Sequence, residues 1–162
     1  MPYYITCTRF NNQTWNENCA WREKHKWKGC IYNTPVKIRN TMILDSYLSV
    51  LEMNNDTNKI MGIGVIKNAI HLKNKKKFRV YSNRYYNRFV YKSNTRIERD
   101  DFTPYEESII AVLDTLLFKG ARHSKRGQGI TQLPEWIRAS KIRDFDFITF
   151  FKNIFIRLKK KN

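Results

Sequence analysis

Apolar and polar positions alternate in recognisable periods along the chain. Residues 3–8, Tyr-Tyr-Ile-Thr-Cys-Thr, are aromatic and β-branched and predict a strand. Thr14 followed three residues later by Glu17 has the capping-box form, with Thr14 as N-cap, and predicts a helix from Trp15 that stops near Gly29. Asn33-Thr34-Pro35 reads as a loop or turn, because the residue before proline avoids helical backbone. Residues 43–53 fit strand or helix by periodicity alone. The Asn-Asn-Asp-Thr-Asn cluster at 54–58 is turn chemistry, and 59–66 reads as a strand, so together they predict a β-hairpin. Gly62 and Gly64 share one face of that strand; they either leave room for a group packed against it or, more simply, let a small barrel curve. Residues 78–81 and 88–91 read as two short strands around a turn bracketed by Asn83 and Asn87, and 95–98 as another strand or its end. The clearest helix is 104–119, with Thr103 as N-cap, Pro104 in the first turn, Glu106 completing a capping box and Gly120 as left-handed cap. A further helix begins at Pro134 and carries Trp136 and Ile137. A last one, 145–158, holds Phe147, Ile148, Phe150, Phe151, Ile154, Phe155 and Leu158. Packing on the rest of the fold is the default for its apolar face; a protein partner bound through Phe147, Phe151 and Phe155 is the alternative. There are no repeats and no linker, so residues 1–162 read as one domain with a helical extension from about 134.

Composition narrows the class. The chain has 162 residues, 41% apolar and 14% aromatic, enough for a core without disulfide staples. Apolar runs are too short to cross a bilayer, and the first 30 residues have no secretory-signal pattern. A membrane-spanning protein, a secreted disulfide scaffold and a wholly disordered chain are therefore excluded as expectations. Cys7, Cys19 and Cys30 are odd in number and lack a C-x-x-C pair, which points to reduced thiols in a cytoplasmic or nuclear compartment. Among these cysteines and His25, His71 and His123, only Cys19 and His25 approach ligand spacing, so no metal or cofactor is expected.

Charge changes the picture most. Lys and Arg total 31 against 14 Asp and Glu, a net charge of +17. Such a balance points to a polyanionic partner, nucleic acid first and an anionic membrane surface second; solubility charge or codon bias is the plainer source. No acidic residue lies between Asp56 and Glu98. There, cations including Arg84, Arg88 and Lys92 interleave with Phe78, Tyr81, Tyr85, Tyr86, Phe89 and Tyr91. Cations neutralise phosphates and rings stack on bases, the pattern of single-stranded nucleic-acid binding. An edge hairpin with lysines guarding it would give the same alternation. A second acid-free stretch lies between Asp114 and Glu135, and its segment 119–130 combines Lys119, Arg122, His123, Ser124, Lys125 and Arg126 with Gly120, Gly127 and Gly129. Glycines let backbone N–H groups approach an anion, so this loop reads as phosphate-binding in preference to a flexible solvated loop.

Trp15, Trp21 and Trp27 recur every six residues and cannot share one helical stripe. Core packing is the safer role for any single one. Trp21 or Trp27, with Asn33 and Thr34 nearby, also offers stacking and edge-reading groups for a base. No P-loop, G-x-S-x-G, H-E-x-x-H or dinucleotide fingerprint is present, and Asp100-Asp101 suit a helix N-terminus. No catalytic residue is assigned; His123 is the one candidate acid/base.

An N-terminal strand, a Trp-rich helix, Gly29-Cys30-Ile31-Tyr32-Asn33-Thr34-Pro35 and the hairpin from Val50 to Ile66 with Gly62-Ile63-Gly64 follow one another in this order. The arrangement resembles the PUA-like superfamily, particularly its EVE, YTH and ASCH branches. The hairpin, Tyr86–Lys92 and His123–Gly129 also look like uncharacterised proteins of large double-stranded DNA viruses. The resemblance covers roughly residues 3–130. It implies an α+β fold, a small β-barrel with helices packed outside, whose mouth binds a nucleotide, often a modified base, in an aromatic pocket. The matching positions are Trp21 or Trp27 and Asn33-Thr34.

The expected function is non-enzymatic binding of RNA or single-stranded nucleic acid. Phosphates would lie on Arg84, Arg88, Lys92, Arg122, His123, Ser124, Lys125, Arg126 and Gly127, and one base, methylated or part of an mRNA cap, on Trp21 or Trp27. The rivals are an ASCH-like enzyme acting on nucleic acid or a nucleoside through His123, and a virion or genome-packaging protein that neutralises DNA nonspecifically.

Overall fold

A computed structural model of the chain describes residues 2–139 and 144–161. It is a mixed α+β structure. In chain order the elements are β1 (Tyr3–Phe10), α1 (Asn12–Lys24), β2 (Cys30–Thr34), β3 (Tyr47–Asn54), β4 (Lys59–Lys67), β5 (Phe89–Ser93), β6 (Thr95–Glu98), α2 (Pro104–Phe118), β7 (Thr131–Gln132), α3 (Glu135–Arg138) and α4 (Phe147–Lys161). Short 3-10 turns occupy Arg84–Asn87 and Arg99–Asp101.

The strands form a five-stranded sheet in the order β6-β4-β3-β1-β7 and a separate β2-β5 ribbon. β1 and β3 run parallel, from Tyr3 opposite Tyr47 to Phe10 opposite Asn54; the other pairs are antiparallel. Among the described residues the ladder does not close into a ring, since β6 and the two-residue β7 remain as edges.

Both faces of the sheet are covered, so most positions of β1, β3 and β4 are buried, the polar Thr6, Ser49, Glu52 and Asn54 among them. On one face Ile5, Cys7, Leu51, Met53, Ile60, Ile63 and Ile97 pack with α2, α3 and α4. On the other, Leu48, Val50 and Ile66 pack under α1 and the β2-β5 ribbon, with Trp21, Tyr32 and Tyr91. A bulge in the β3-β4 pair sets Met61 and Gly62 against the single residue Glu52. It keeps Ile60 and Ile63 on the helix side and turns Gly62 and Gly64 toward the ribbon. A Cβ on Gly64 would run into the Tyr32 hydroxyl and Cys30 Sγ, and one on Gly62 would lie 2.8 Å from Glu52 Oε1. The two glycines therefore make room for a packed group, which is a buried polar cluster. Tyr32 donates to Glu52 Oε2 at 2.6 Å, and Arg96 grips the same carboxylate through Nε at 2.9 Å and Nη2 at 2.6 Å.

Several expected elements shift. α1 begins earlier than Thr14 predicts. Asn11 is the N-cap, accepting from Thr14 N at 2.8 Å, and the Thr14 hydroxyl returns the contact to Asn11 N at 3.0 Å, so Thr14 sits inside the first turn. Glu17 is released from capping and accepts from Ser82 N. The 43–53 ambiguity resolves as strand. Asn33-Thr34 belongs to a strand, not a loop, because the ribbon pairs it with Val90 and Phe89. Residues 78–81 are not a strand. Phe78, Val80 and Tyr81 are buried, but their backbone bonds to a side chain: Asn87 Oδ1 accepts from Val80 N and Tyr81 N, and Asn87 Nδ2 donates to Tyr81 O.

The 104–119 helix forms with the expected cap, Thr103 accepting from Glu106 N at 3.2 Å and Glu106 accepting from Thr103 N at 2.9 Å. α4 lays Phe147, Phe150, Phe151, Ile154 and Phe155 into the core, so Phe147, Phe151 and Phe155 are not on offer to a partner. Among the described residues no helix is long and apolar enough to cross a membrane.

Candidate nucleic-acid interface

β1 and β3 finish side by side at one end of the sheet, and four other segments converge there. A cavity of about 260 Å³ results. β1 contributes Thr8, Arg9 and Phe10; the start of α1 gives Asn11 and Thr14; the end of β2 gives Asn33, Thr34 and Pro35. Asn55 follows β3, Tyr81 and Tyr86 flank the 3-10 turn, and Lys125, Gly127, Gln128 and Gly129 come from the glycine-rich loop. The lining carries two cations, three aromatic rings and several amides and hydroxyls, with no carboxylate, imidazole or thiol.

Arg9 organises the site. Its Nε donates to Ser124 O at 2.9 Å and its Nη1 to Thr131 Oγ1 at 2.6 Å, which fastens the loop to β1. Among the described residues no carboxylate pairs with it. Burial pushes the Arg9 guanidinium below its ordinary pKa, a shift eased by the nearby Cys7 thiol. A half-buried cation without a counter-ion is unfavourable alone and favours an anion or a strong acceptor beside it. α1 adds the same sign of field, since its N-terminus lines the cavity and its first turn holds no acidic residue.

The loop is held firmly. Ser124 N donates to Leu117 O at 2.6 Å, Lys125 N to His123 Nδ1 at 3.3 Å, and Asn55 Nδ2 to Lys125 O at 2.8 Å. Gly127 has φ of +136°, and a Cβ there would lie 3.2 Å from Arg9 Cζ, so the glycine permits both the backbone turn and the approach to the guanidinium.

Two amides of the lining are pinned. Asn33 Nδ2 donates to Phe78 O at 2.6 Å and to Asn87 Oδ1 at 2.9 Å. With its N–H groups spent, Asn33 Oδ1 is buried without a partner among the described residues, and so is Asn55 Oδ1. Each orphaned acceptor costs about 1–3 kcal/mol.

Of the residues expected to bind, Asn33, Thr34, Lys125 and Gly127 line this cavity. Ser124 backs it through its carbonyl, and exposed Arg126 adjoins it. Arg84 and Arg88 are exposed beside Tyr86, with the Arg88 guanidinium 5.8 Å from the Tyr85 ring centre. His123 props the loop and does not line the cavity; Arg122 lies over the Trp136 ring at 5.7 Å. Lys92 belongs elsewhere, over Trp27 at 4.8 Å in a second cavity of about 530 Å³ shared with Tyr47, Lys67 and His71.

The indoles are not at the first cavity. Trp21 is 6% exposed, donates to Lys77 O and stacks on His25 at 4.2 Å. Trp27 is half-buried and donates to Cys30 O. Arg9 and Asn55 were not legible as site residues: one is a lone cation in an apolar strand, the other one of several turn asparagines. Tyr81 and Tyr86 carried a signal, as members of the basic–aromatic stretch. Comparison with known protein families, with curated proteins and with solved structures finds no match for the chain.

Proposed function

We propose that the chain binds RNA or single-stranded nucleic acid without altering it chemically, and that one nucleotide enters the cavity at the Arg9–Asn55 end of the sheet. One observation carries this reading: Arg9, with no carboxylate partner among the described residues, a second cation, aromatic rings and amide side chains line a single cavity. Cations suit phosphate, rings suit a base face, and amides suit a base edge. At about 260 Å³ the cavity lies just below the range usual for drug-sized ligands, which favours one base or nucleoside. Its lining offers no carboxylate or imidazole as general base, so binding is favoured over hydrolysis. Tyr86 takes the stacking role first given to Trp21 or Trp27. Exposed Arg84, Arg88 and Arg126 lead the strand away.

The order of strand, helix, strand and hairpin supports the PUA-like assignment as part of the same proposal, with the nucleotide at the mouth of a barrel-like end and a methylated base or cap as a ligand to test. The experiment is fluorescence anisotropy with labelled single-stranded RNA, single-stranded DNA and duplex, capped, methylated and unmodified, at two salt concentrations. Single strands should bind best, with a log–log salt slope of about −0.7 per neutralised phosphate. Salt-independent binding, or none at low salt, rejects the proposal.

A further inference from the structure

At the other end of the sheet, where β3 starts and β4 finishes with Tyr47 opposite Lys67, a second cavity of about 530 Å³ lies beside Trp27. Lys67 and Lys92 both line it, and its lining holds no carboxylate. Among the described residues neither ammonium pairs with one. Aromatic rings hold them instead. Lys92 Nζ lies 4.8 Å from the Trp27 ring centre and 5.0 Å from that of Phe78, and Lys67 Nζ lies 5.5 Å from that of Tyr47. The indole is itself fixed, its Nε1 donating to Cys30 O at 3.0 Å. Contact with a ring face positions an ammonium without cancelling its charge. His71, also in the lining, registers that charge. Burial first, then the Lys92 and Lys73 ammoniums, push its pKa below the ordinary value, against a backbone hydrogen bond at Lys73 that raises it.

Two positioned ammoniums without counter-ions in one recess suit a phosphate group. The Trp27 ring is already engaged by Lys92, so the cavity offers charge and not a stacking platform. Resting on the nucleic-acid reading above, we infer that this cavity is a second phosphate site, filled by another phosphate of the strand whose nucleotide occupies the Arg9 end. The two ends of β3, eight residues at about 3.3 Å each, are roughly 23 Å apart. A trinucleotide in the first cavity therefore cannot reach the second, whereas a strand of a dozen nucleotides can.

The test follows the His71 imidazole by NMR titration of the full chain at low salt, free, with a saturating trinucleotide and with a twelve-nucleotide RNA. An anion beside the lysines favours the imidazolium. The long RNA should therefore raise the His71 pKa by about half a unit or more, and the trinucleotide should leave it unchanged. Lys67→Ala, at an exposed position, should make the log–log salt slope of the long RNA shallower by about 0.7, one phosphate contact, and leave that of the trinucleotide unaltered. With the long RNA bound, an unchanged His71 pKa, or an unchanged slope in Lys67→Ala, overturns the second site and leaves nucleic-acid binding in place. An equal rise with inorganic phosphate at the same phosphate concentration assigns the cavity to a free anion and overturns its part in holding the strand. Failure of the long RNA to bind at low salt removes both readings.

Discussion

The most consequential single residues lie beneath the sheet surface. Glu52 is 1% exposed and receives Tyr32 and both arms of Arg96 in the space that Gly62 and Gly64 vacate. Burial by itself would lower the pKa of Arg96, but the Glu52 carboxylate outweighs it and holds the guanidinium above its ordinary value. Removing Glu52 leaves the buried Arg96 with only the solvent-exposed Glu98 carboxylate, on its Nη1, as counter-ion, which costs up to about 3–5 kcal/mol. Glu52→Gln should therefore lower the unfolding free energy by about that amount in a urea titration. A loss below 1 kcal/mol would mean that the cluster is hydrated in solution. Glu52 reads in sequence as a polar residue on a strand face; only the ribbon folded over it makes it a buried anchor. The same holds for Arg9, whose partner Ser124 is 115 residues away, and for Asn55, whose partner Lys125 is 70 away.

Elements whose determinants are local were legible, and those fixed by distant partners were not. α2 carries its start in Thr103, Pro104 and Glu106, which follow from neighbouring residues. Its stop differs from the expected Gly120 cap, because Lys119 is already extended and ends the helix at Phe118, with Gly120 in left-handed backbone one residue beyond. β2 looked like a turn because Pro35 follows it, yet it is a strand through pairing with β5, more than fifty residues later. The alternation at 78–81 mimicked a strand because those side chains are buried, while Asn87 supplies the hydrogen bonds that a neighbouring strand would have made. α2 is also tied to the 3-10 turn before it. Arg99 donates to Glu107 at 2.7 Å through two nitrogens and to Asp114 at 2.9 Å. The hydrogen bonds from Arg99 hold the Glu107 carboxyl below its ordinary value of 4.5. A depressed carboxyl binds its proton more readily in the unfolded chain. Its stabilising effect is thus complete above about pH 4.5 and is lost as pH falls through the folded-state value. The melting temperature should drop on acidification below that point. Glu107→Gln should flatten part of the drop; an unchanged profile in this variant would show that solvent screens the pair.

At the scale of the whole molecule, a net charge of +17 does not make one uniform surface. Arg9 and Lys125 sit where β1 and β3 end, flanked by Arg126 and the Arg84–Asn87 turn. Lys67 and Lys92 line the cavity at the opposite end, beside Tyr47 where β3 begins. β3 has eight residues, so at about 3.3 Å per residue the two ends are roughly 23 Å apart. The Debye length at physiological salt is about 8 Å, so a phosphate held at one end feels little of the charge at the other. The basic–aromatic stretch that reads as one feature in sequence is thereby divided between two poles: Arg84 and Arg88 go to one, Lys92 with Trp27 to the other. A trinucleotide seated at the Arg9 end cannot span that distance, whereas a strand of a dozen nucleotides can follow the surface between the poles. Lys125→Ala should weaken a trinucleotide about tenfold at physiological salt, and Lys92→Ala should leave it within a factor of two. For a twelve-nucleotide strand at low salt, both substitutions should weaken binding. Anisotropy titrations of the two variants with both lengths separate these cases. A trinucleotide that responds to Lys92→Ala as strongly as to Lys125→Ala would move the binding site to the Trp27 end.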